Sequence, residues 1–296
     1  MPFLGETYAL LTAVLWTGSS LVFAEATVKV GSVTVNVTRL IIATLLLLVT
    51  VLLFSLTGQI SGSQIRNLAL SGVAGLVFGD TFLFKSYEYN SARISSLIMS
   101  TAPPVTALLA YFFLGETLSF WGIVGMGVTL AGIALVIGGQ RDPSSSRMKP
   151  LNIGIFYAFL GAVGQAGGLV LARMAFDEGQ INGFFATFIR MASAVILILP
   201  LAILTRRYKN PFKIFSKERK AFSFTFIGVV LGPFFGVTLS LLSIVHTKVA
   251  IAATLIATVP IMMLPAVKVL YHEKLSWESI VGAFVAVGGV AILFLR

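Results

Sequence analysis

Residues 95–136 read SSLIMSTAPPVTALLAYFFLGETLSFWGIVGMGVTLAGIALV and hold a single charged residue, Glu116. Two apolar runs flank the Gly115-Glu116 turn. Each is about 20 residues long, the length an α-helix needs to cross the ~30 Å hydrocarbon core of a bilayer. The stretch is therefore predicted to form a helical hairpin in lipid. A copy of it returns at the end of the chain. Sliding 93–137 onto 250–294, an offset of 157, leaves 12 of 45 positions identical. Thr101-x-Pro103 falls on Thr258-x-Pro260, and Glu116-x-Leu118-Ser119 falls on Glu273-x-Leu275-Ser276. Gly125 falls on Gly282, and Gly132 on Gly289. A shared bias toward Leu and Val does not produce Pro, Glu and Gly recurring in order.

The rest of the chain has the same character. It is 57% hydrophobic and only 11% charged over 296 residues, too little charge to cover a water-facing surface. The 28 glycines suit membrane helices, which pack through small residues because lipid gives no hydrophobic drive for association. Ten apolar spans are predicted, near 6–25, 33–55, 67–86, 93–114, 119–138, 152–173, 183–204, 222–242, 248–270 and 276–295. The fold expected is thus all-α and integral to the membrane: ten transmembrane helices in two units, 1–138 and 151–296, joined by the linker 139–150. Earlier helices repeat more loosely. Arg190 answers Arg39, Gly75-x-x-x-Gly79 is placed on Gly228-x-x-x-Gly232, and Pro233 then stands where the first unit has Asp80. Five spans per unit is an odd number, so the second unit enters the bilayer from the opposite side. That is an inverted-topology repeat, which can open a cavity first to one side and then to the other. The N-terminus lacks a basic start and is read as a first span rather than a cleaved signal.

The hairpin at 95–136 closely resembles the fourth and fifth helices of the EamA unit of the drug/metabolite transporter superfamily. Pro103, Gly115-Glu116, Gly125 and Gly132 carry the resemblance, and the copy keeps Pro260, Glu273, Gly282 and Gly289 but has His272 for the loop glycine. Leu15-Trp16-Thr17-Gly18, Arg39 and Arg190 also fit the family pattern. The resemblance implies a ten-helix, 5+5 fold in which helices one to four and six to nine surround a central cavity. It implies transport of small metabolites, and many two-unit bacterial members are exporters.

An ionisable side chain inside hydrocarbon costs at least ~2.5 kcal/mol, so each demands a reason. Asp80 is the deepest acid and reads as a site for a substrate ammonium or a proton, or else as a structural acid paired with a neighbour. Arg39 and Arg190 lie less than two turns inside their helices. They read as snorkelling or structural groups, with Arg190 also a candidate for a substrate carboxylate. Lys85 and Glu88, at i and i+3, read as a pair. Glu116 and Glu273 read as helix caps. Trp16, Ser20, Gln165, Thr101 and Thr258 supply polar contacts for a mostly apolar cavity, and Phe84, Tyr87 and Phe235 supply rings to stack on a solute. Pro103 and Pro260 read as paired hinges, since proline in a span frees a carbonyl and bends the axis.

Motifs for other chemistry are missing from the sequence. There is no cysteine, no G-x-x-x-x-G-K-[ST] phosphate loop and no G-x-S-x-G elbow, and the two histidines, His246 and His272, lack an i+4 ligand partner. No enzyme activity and no cofactor or metal are expected, so a gradient of solute, proton or another ion must drive the movement. The net charge of +10 does not imply nucleic-acid binding, because it sits in loops. Fifteen Lys and Arg lie on the side of the 205–221 loop, against four (Arg66, Arg173, Lys248, Arg296) on the side of the termini. The positive-inside rule then puts that loop in the cytoplasm and both termini outside, in the cell inner (plasma) membrane. The partners expected are the lipid bilayer and a small-molecule solute, with the protein a monomer or homodimer. The function expected is secondary transport of an amino acid or similar amphipathic metabolite by alternating access, as an exporter. Toxic-cation efflux in the same fold, a channel and a lipid-handling protein are the alternatives.

Overall fold

A computed structural model of the chain describes residues 3–115, 119–138, 151–246, 255–272 and 275–294. The described residues form helices joined by short turns, with no strand among them. Seven stretches are long and apolar enough to cross a membrane, and three shorter apolar helices follow the same pattern. Large apolar side chains such as Leu53, Phe112, Ile196 and Leu204 are exposed on their outer faces. This is the surface lipid tolerates, and the protein is a multi-pass membrane protein.

The first half runs α1 (Leu4–Val30), α2 (Ser32–Leu53), α3 (Gly62–Gly72), a π-helical segment (Val73–Gly79), α4 (Asp80–Ser86), α5 (Ala92–Met99), α6 (Ala102–Leu114) and α7 (Phe120–Gly138). The second runs α8 (Leu151–Asp177), α9 (Gly183–Leu204), α10 (Pro211–Lys217), α11 (Arg219–Val229), a π-helical segment (Val230–Gly236), α12 (Val237–His246), α13 (Val259–Tyr271) and α14 (Trp277–Phe294). Lengths correspond between the halves. α1 and α8 have 27 residues each, α2 and α9 have 22, α3 and α11 have 11, the π segments 7, and α6 and α13 have 13. Short α10, inside the basic connector, was not expected from the apolar pattern.

The π segments correct the register read from the sequence. They correspond at the same offset of 157 as the terminal hairpins, so Gly75 and Gly79 match Gly232 and Gly236, not Gly228 and Gly232. The residue opposite Asp80 is then Val237, not Pro233. The second half spaces Gly228, Gly232 and Gly236 evenly, and a pattern of that period aligns equally well one turn out of place.

Pro103 and Pro260 do not kink continuous helices. Each is the second residue of a new helix, α6 or α13, whose N-caps are Thr101 and Thr258. Proline fits there because a first-turn amide has no intrahelical acceptor to lose. The fourth span is therefore interrupted, with Ser100 and Thr101 in a tight turn between α5 and α6. A gap of ≈ 10 Å³, about the size of one water, lies between Leu97 of α5, Pro260 and Leu264 of α13 and Ala283 of α14. At the far ends of the two helices, Gly115 (φ 66°) and His272 (φ 51°) both take the left-handed conformation. His272 holds a geometry that glycine adopts without strain.

The halves cross through small residues. A Cβ on Gly132 would sit 2.3 Å from Ala286 N and 2.7 Å from Gly282 O, and one on Gly289 would sit 2.3 Å from Thr129 N and 2.7 Å from Gly125 O. Each of these pairs maps onto the other at the offset of 157, so the contact is self-complementary, as across a two-fold axis. Along α7 the partner position on α14 moves backwards, so the helices run antiparallel. α1 crosses the α11–α12 span the same way: Ser19 Oγ donates to Gly228 O (3.0 Å), and Trp16 lies against Gly236. α8 crosses the α3–α4 span likewise: Gln64 Nε2 donates to Ala175 O (3.0 Å), Ser71 Oγ donates to Gly168 O (2.5 Å), and Gly164 lies against Gly79. The linker 139–150, Glu116 and Glu273 lie outside the described residues.

Gly132→Val or Gly289→Val is expected to lower the melting temperature in detergent sharply, because backbone must move to admit the side chain. Gly127→Ala, on the same α7 but with no atom within 4 Å of its Cβ site, is expected to leave it unchanged. Equal melting of the three variants would show that the α7–α14 contact is not as described.

Candidate functional site

α2, α4, α8 and α9 meet at the seam between the halves and place their polar side chains together. Arg39 is the eighth residue of α2 and is only 4% exposed. It does not snorkel to an interface. Its Nη2 is ion-paired with Asp80 Oδ2, and its Nε donates to Asn36 Oδ1 one turn earlier (2.9 Å). Asn36 in turn donates to Thr81 Oγ1 (3.1 Å). The guanidinium carbon lies 4.7 Å from the centroid of Phe84 and 5.6 Å from that of Phe23, so two rings cover the charge that the carboxylate leaves uncovered.

Asp80 is 5% exposed and opens α4 directly after the π segment. Its Oδ1 accepts from Gln165 Nε2 of α8 (2.7 Å), which also lies 3.3 Å from Gly75 O. The two halves are therefore joined through this carboxylate. Phe84 packs 5.6 Å from the ring of Tyr87, whose hydroxyl lies near Ser20 of α1. Arg190, the eighth residue of α9, is 7% exposed. Its Nη2 lies beside Gly75, where a Cβ would sit 3.4 Å away, and Asp80 is near enough to act on it electrostatically. α9 also reaches α3 here: a Cβ on Gly72 would meet the Arg190 carbonyl oxygen at 2.2 Å.

Of the residues singled out from the sequence, Asp80, Gln165, Arg190, Phe84, Tyr87 and Ser20 are thus gathered into one cluster. Trp16 stands on α1 one turn before Ser20 and packs on the second π segment. Phe235 is 44% exposed with its ring against Phe234 at 4.8 Å, apart from the cluster. The hydroxyls of Thr101 and Thr258 bond the carbonyls of Ile98 (2.8 Å) and Leu255 (2.6 Å), so they are spent on the helix breaks. Asn36, Thr81 and Phe23 belong to the site and were not singled out. Asn36 had a sequence signal, lying three residues before Arg39 on the same helical face, whereas Phe23 is brought in by tertiary packing alone.

At the end of α4, Lys85 Nζ pairs with Glu88 Oε2 (2.5 Å), as the i,i+3 spacing predicted. Glu88 Oε1 also accepts from the Ser32 amide (3.0 Å), an orphan donor of the first turn of α2. Burial raises the Glu88 carboxyl, but the bonds from Lys85 and Ser32 outweigh it and hold the group below its ordinary value of 4.5. Among the described residues no three His, Cys, Asp or Glu side chains come together as a metal site.

The EamA-like transporter family matches residues 3–138 and, a second time, residues 152–295, and the chain belongs to that family. A Bacillus subtilis (strain 168) protein named an uncharacterized transporter, YxxF, is 30% identical over 125 residues, 42% of this chain and 39% of the relative. The matched part is thus well under half of the relative's length. One protein of known crystal structure shares the fold at a TM-score of 0.64 and 17% identity, over 98% of this chain and 96% of that one.

Two predictions follow from this geometry. Asp80→Leu strands the buried Arg39 and is expected to destabilise the protein by about 3–5 kcal/mol in denaturant or thermal unfolding. The double variant Arg39→Met/Asp80→Leu is expected to recover most of that loss, since an apolar pair can replace a buried ion pair. Additive losses would mean that the two residues are not coupled. The folded Glu88 carboxyl is depressed, so its contribution to stability is complete above about 4.5, the ordinary value, and fades as pH falls through the lower folded value. Glu88→Gln is expected to reduce the steepness of the acid limb between pH 5 and 3 in melting curves.

Proposed function

We propose that the protein is a secondary transporter of the cell inner (plasma) membrane that exports a small amphipathic metabolite, an amino acid or similar solute, by alternating access. The observation that carries this reading is the buried charged cluster at the seam, to which both halves contribute. Charge at that depth is expensive, and a fold with no use for it replaces it with apolar side chains.

The same reading makes the architecture ten spans in two inverted units of five. The antiparallel crossings of α1 with α11–α12, α8 with α3–α4 and α7 with α14 support it, because units inserted in the same orientation would cross in parallel. Substrate binds at the midplane around Arg39, Asp80, Gln165 and Arg190. The interrupted fourth span, and the α13 break that matches it, supply the bending points as the units tilt against each other. Charge bias places the 205–221 loop in the cytoplasm and both termini outside. Export is the direction the family resemblance implies. Efflux of toxic cations is less well supported, since Asp80, the acid such a substrate needs, is already engaged by Arg39 and Gln165.

Purified protein in proteoliposomes is expected to show saturable counterflow with one class of small metabolite. Asp80→Asn is expected to cut gradient-driven flux at least tenfold while the protein still elutes as one species. Unchanged flux across pH values and gradients would remove Asp80 from coupling. Unsaturable flux without counterflow would point to a channel.

A further inference from the structure

The charges at the seam do not balance. Arg39 and Arg190 are both buried, and among the described residues Asp80 is the one acid that acts on them in this cluster. Asp80 is bonded to Arg39 and to Gln165, which occupy its two oxygens. Arg190 Nε has no hydrogen-bond partner among the described residues, although the side chain is 93% buried by the 7% exposure of the residue.

The repeat explains how this arises. Arg39 and Arg190 hold the same place in helices of the same length, and the acid that partners Arg39 has Val237 as its counterpart. Gln165, the fifteenth residue of α8, has Gly18 at the matching place of α1 by the same end-to-end comparison. The repeat thus kept the cation at Arg190 but has neither an acid at the place of Asp80 nor a glutamine at the place of Gln165, the group that holds that acid beside Arg39. A buried guanidinium without an anion is costly, and a hydrophobic side chain of similar volume would be stabilising there. The missing Cβ of Gly75 leaves the guanidinium beside bare backbone of a π segment, an irregularity that recurs at ligand sites.

We propose that Arg190 docks the carboxylate of the transported solute, so that the substrate class is the monocarboxylates, amino acids included. One carboxylate brings the cluster of two arginines and one aspartate to neutrality, and the planar guanidinium accepts it in the two-pronged geometry that carboxylates favour. This inference rests on the transporter reading of the same site.

The test has two arms. In proteoliposomes, a library of small carboxylic acids is compared with the carboxamides of the same acids. Counterflow is expected with acids and at least tenfold less with their amides, and Arg190→Lys is expected to keep a reduced preference for acids that Arg190→Met loses. In detergent without added solute, Arg190→Met is expected to melt at or above the wild-type temperature, whereas Arg39→Met melts below it. Wild type, but not Arg190→Met, gains melting temperature from the acids that exchange. The proposal is overturned if amides exchange as well as acids, if chloride protects as well as carboxylates, or if Arg190→Met melts as far below wild type as Arg39→Met. Exchange confined to solutes that carry no carboxylate overturns it while leaving the transporter reading in place. The absence of exchange by any solute overturns both.

Discussion

The ion pair between Arg39 and Asp80 sets the conditions for the helices around it. In the bilayer interior neither charge can be left to water, so α2 must hold its register against α4 closely enough for the pair to form. The pair alone is not sufficient, because the remaining donor and acceptor sites of both groups also need partners. Asn36, Gln165 and the faces of Phe84 and Phe23 meet that need. Three of these lie on helices other than α2, so satisfying one arginine fixes the positions of α1, α4 and α8 together. Asp80 is held at the start of α4 by the π segment before it, whose extra residue per turn rotates the carboxylate relative to a continuous helix.

Close backbone approach does the work elsewhere that apolar burial does in water-soluble proteins. Lipid is as apolar as Leu, so spans associate by contact and by hydrogen bonding. The α7–α14 crossing shows the contact term, with Gly132 and Gly289 each admitting the partner's backbone. The α1 and α8 crossings show the second term, since Ser19 and Ser71 donate to carbonyls of the helix they cross. Both kinds of contact join one half to the other. The halves are consequently held by interfaces of small residues.

The parts of this arrangement that were legible in the sequence are those fixed by local chemistry. The all-helical membrane character and the approximate positions of the apolar helices follow from apolar length, and the pairing of Lys85 with Glu88 follows from helical spacing. The relation of the terminal hairpins follows from Pro, Glu and Gly, which are not interchangeable with the apolar alphabet. Where the pattern was degenerate, the reading slipped: three evenly spaced glycines in the second half offered two registers, and the π segment that chooses between them is not encoded by periodicity. Pro103 illustrates a different limit. Proline inside a span was legible, but whether it bends a helix or begins one depends on the two preceding residues leaving the helical ladder, as Ser100 and Thr101 do. The partner of Arg39 was out of reach because 41 residues separate it from Asp80, and any arginine near a span end also reads as a snorkelling one.

The comparison of the halves bears on how such a site can work. A strictly repeated unit would put an acid at both 80 and 237 and a glutamine at both 18 and 165, giving two closed ion pairs and no residual charge. The chain instead repeats the cations and breaks the repeat at their partners. The scaffold can then keep the two-fold geometry that lets opposed tilts interchange, because Arg39 and Arg190 occupy equivalent positions. The seam itself is left polarised, with one side satisfied by protein groups and the other not. In an alternating mechanism that asymmetry has a use. Under the proposed mechanism the satisfied pair would hold its half together in every state, while the unsatisfied cation would leave the balance of the seam dependent on what enters it. On the proposed reading, a solute that supplies the absent charge would stabilise the closed seam, and an empty site would favour opening to one side or the other.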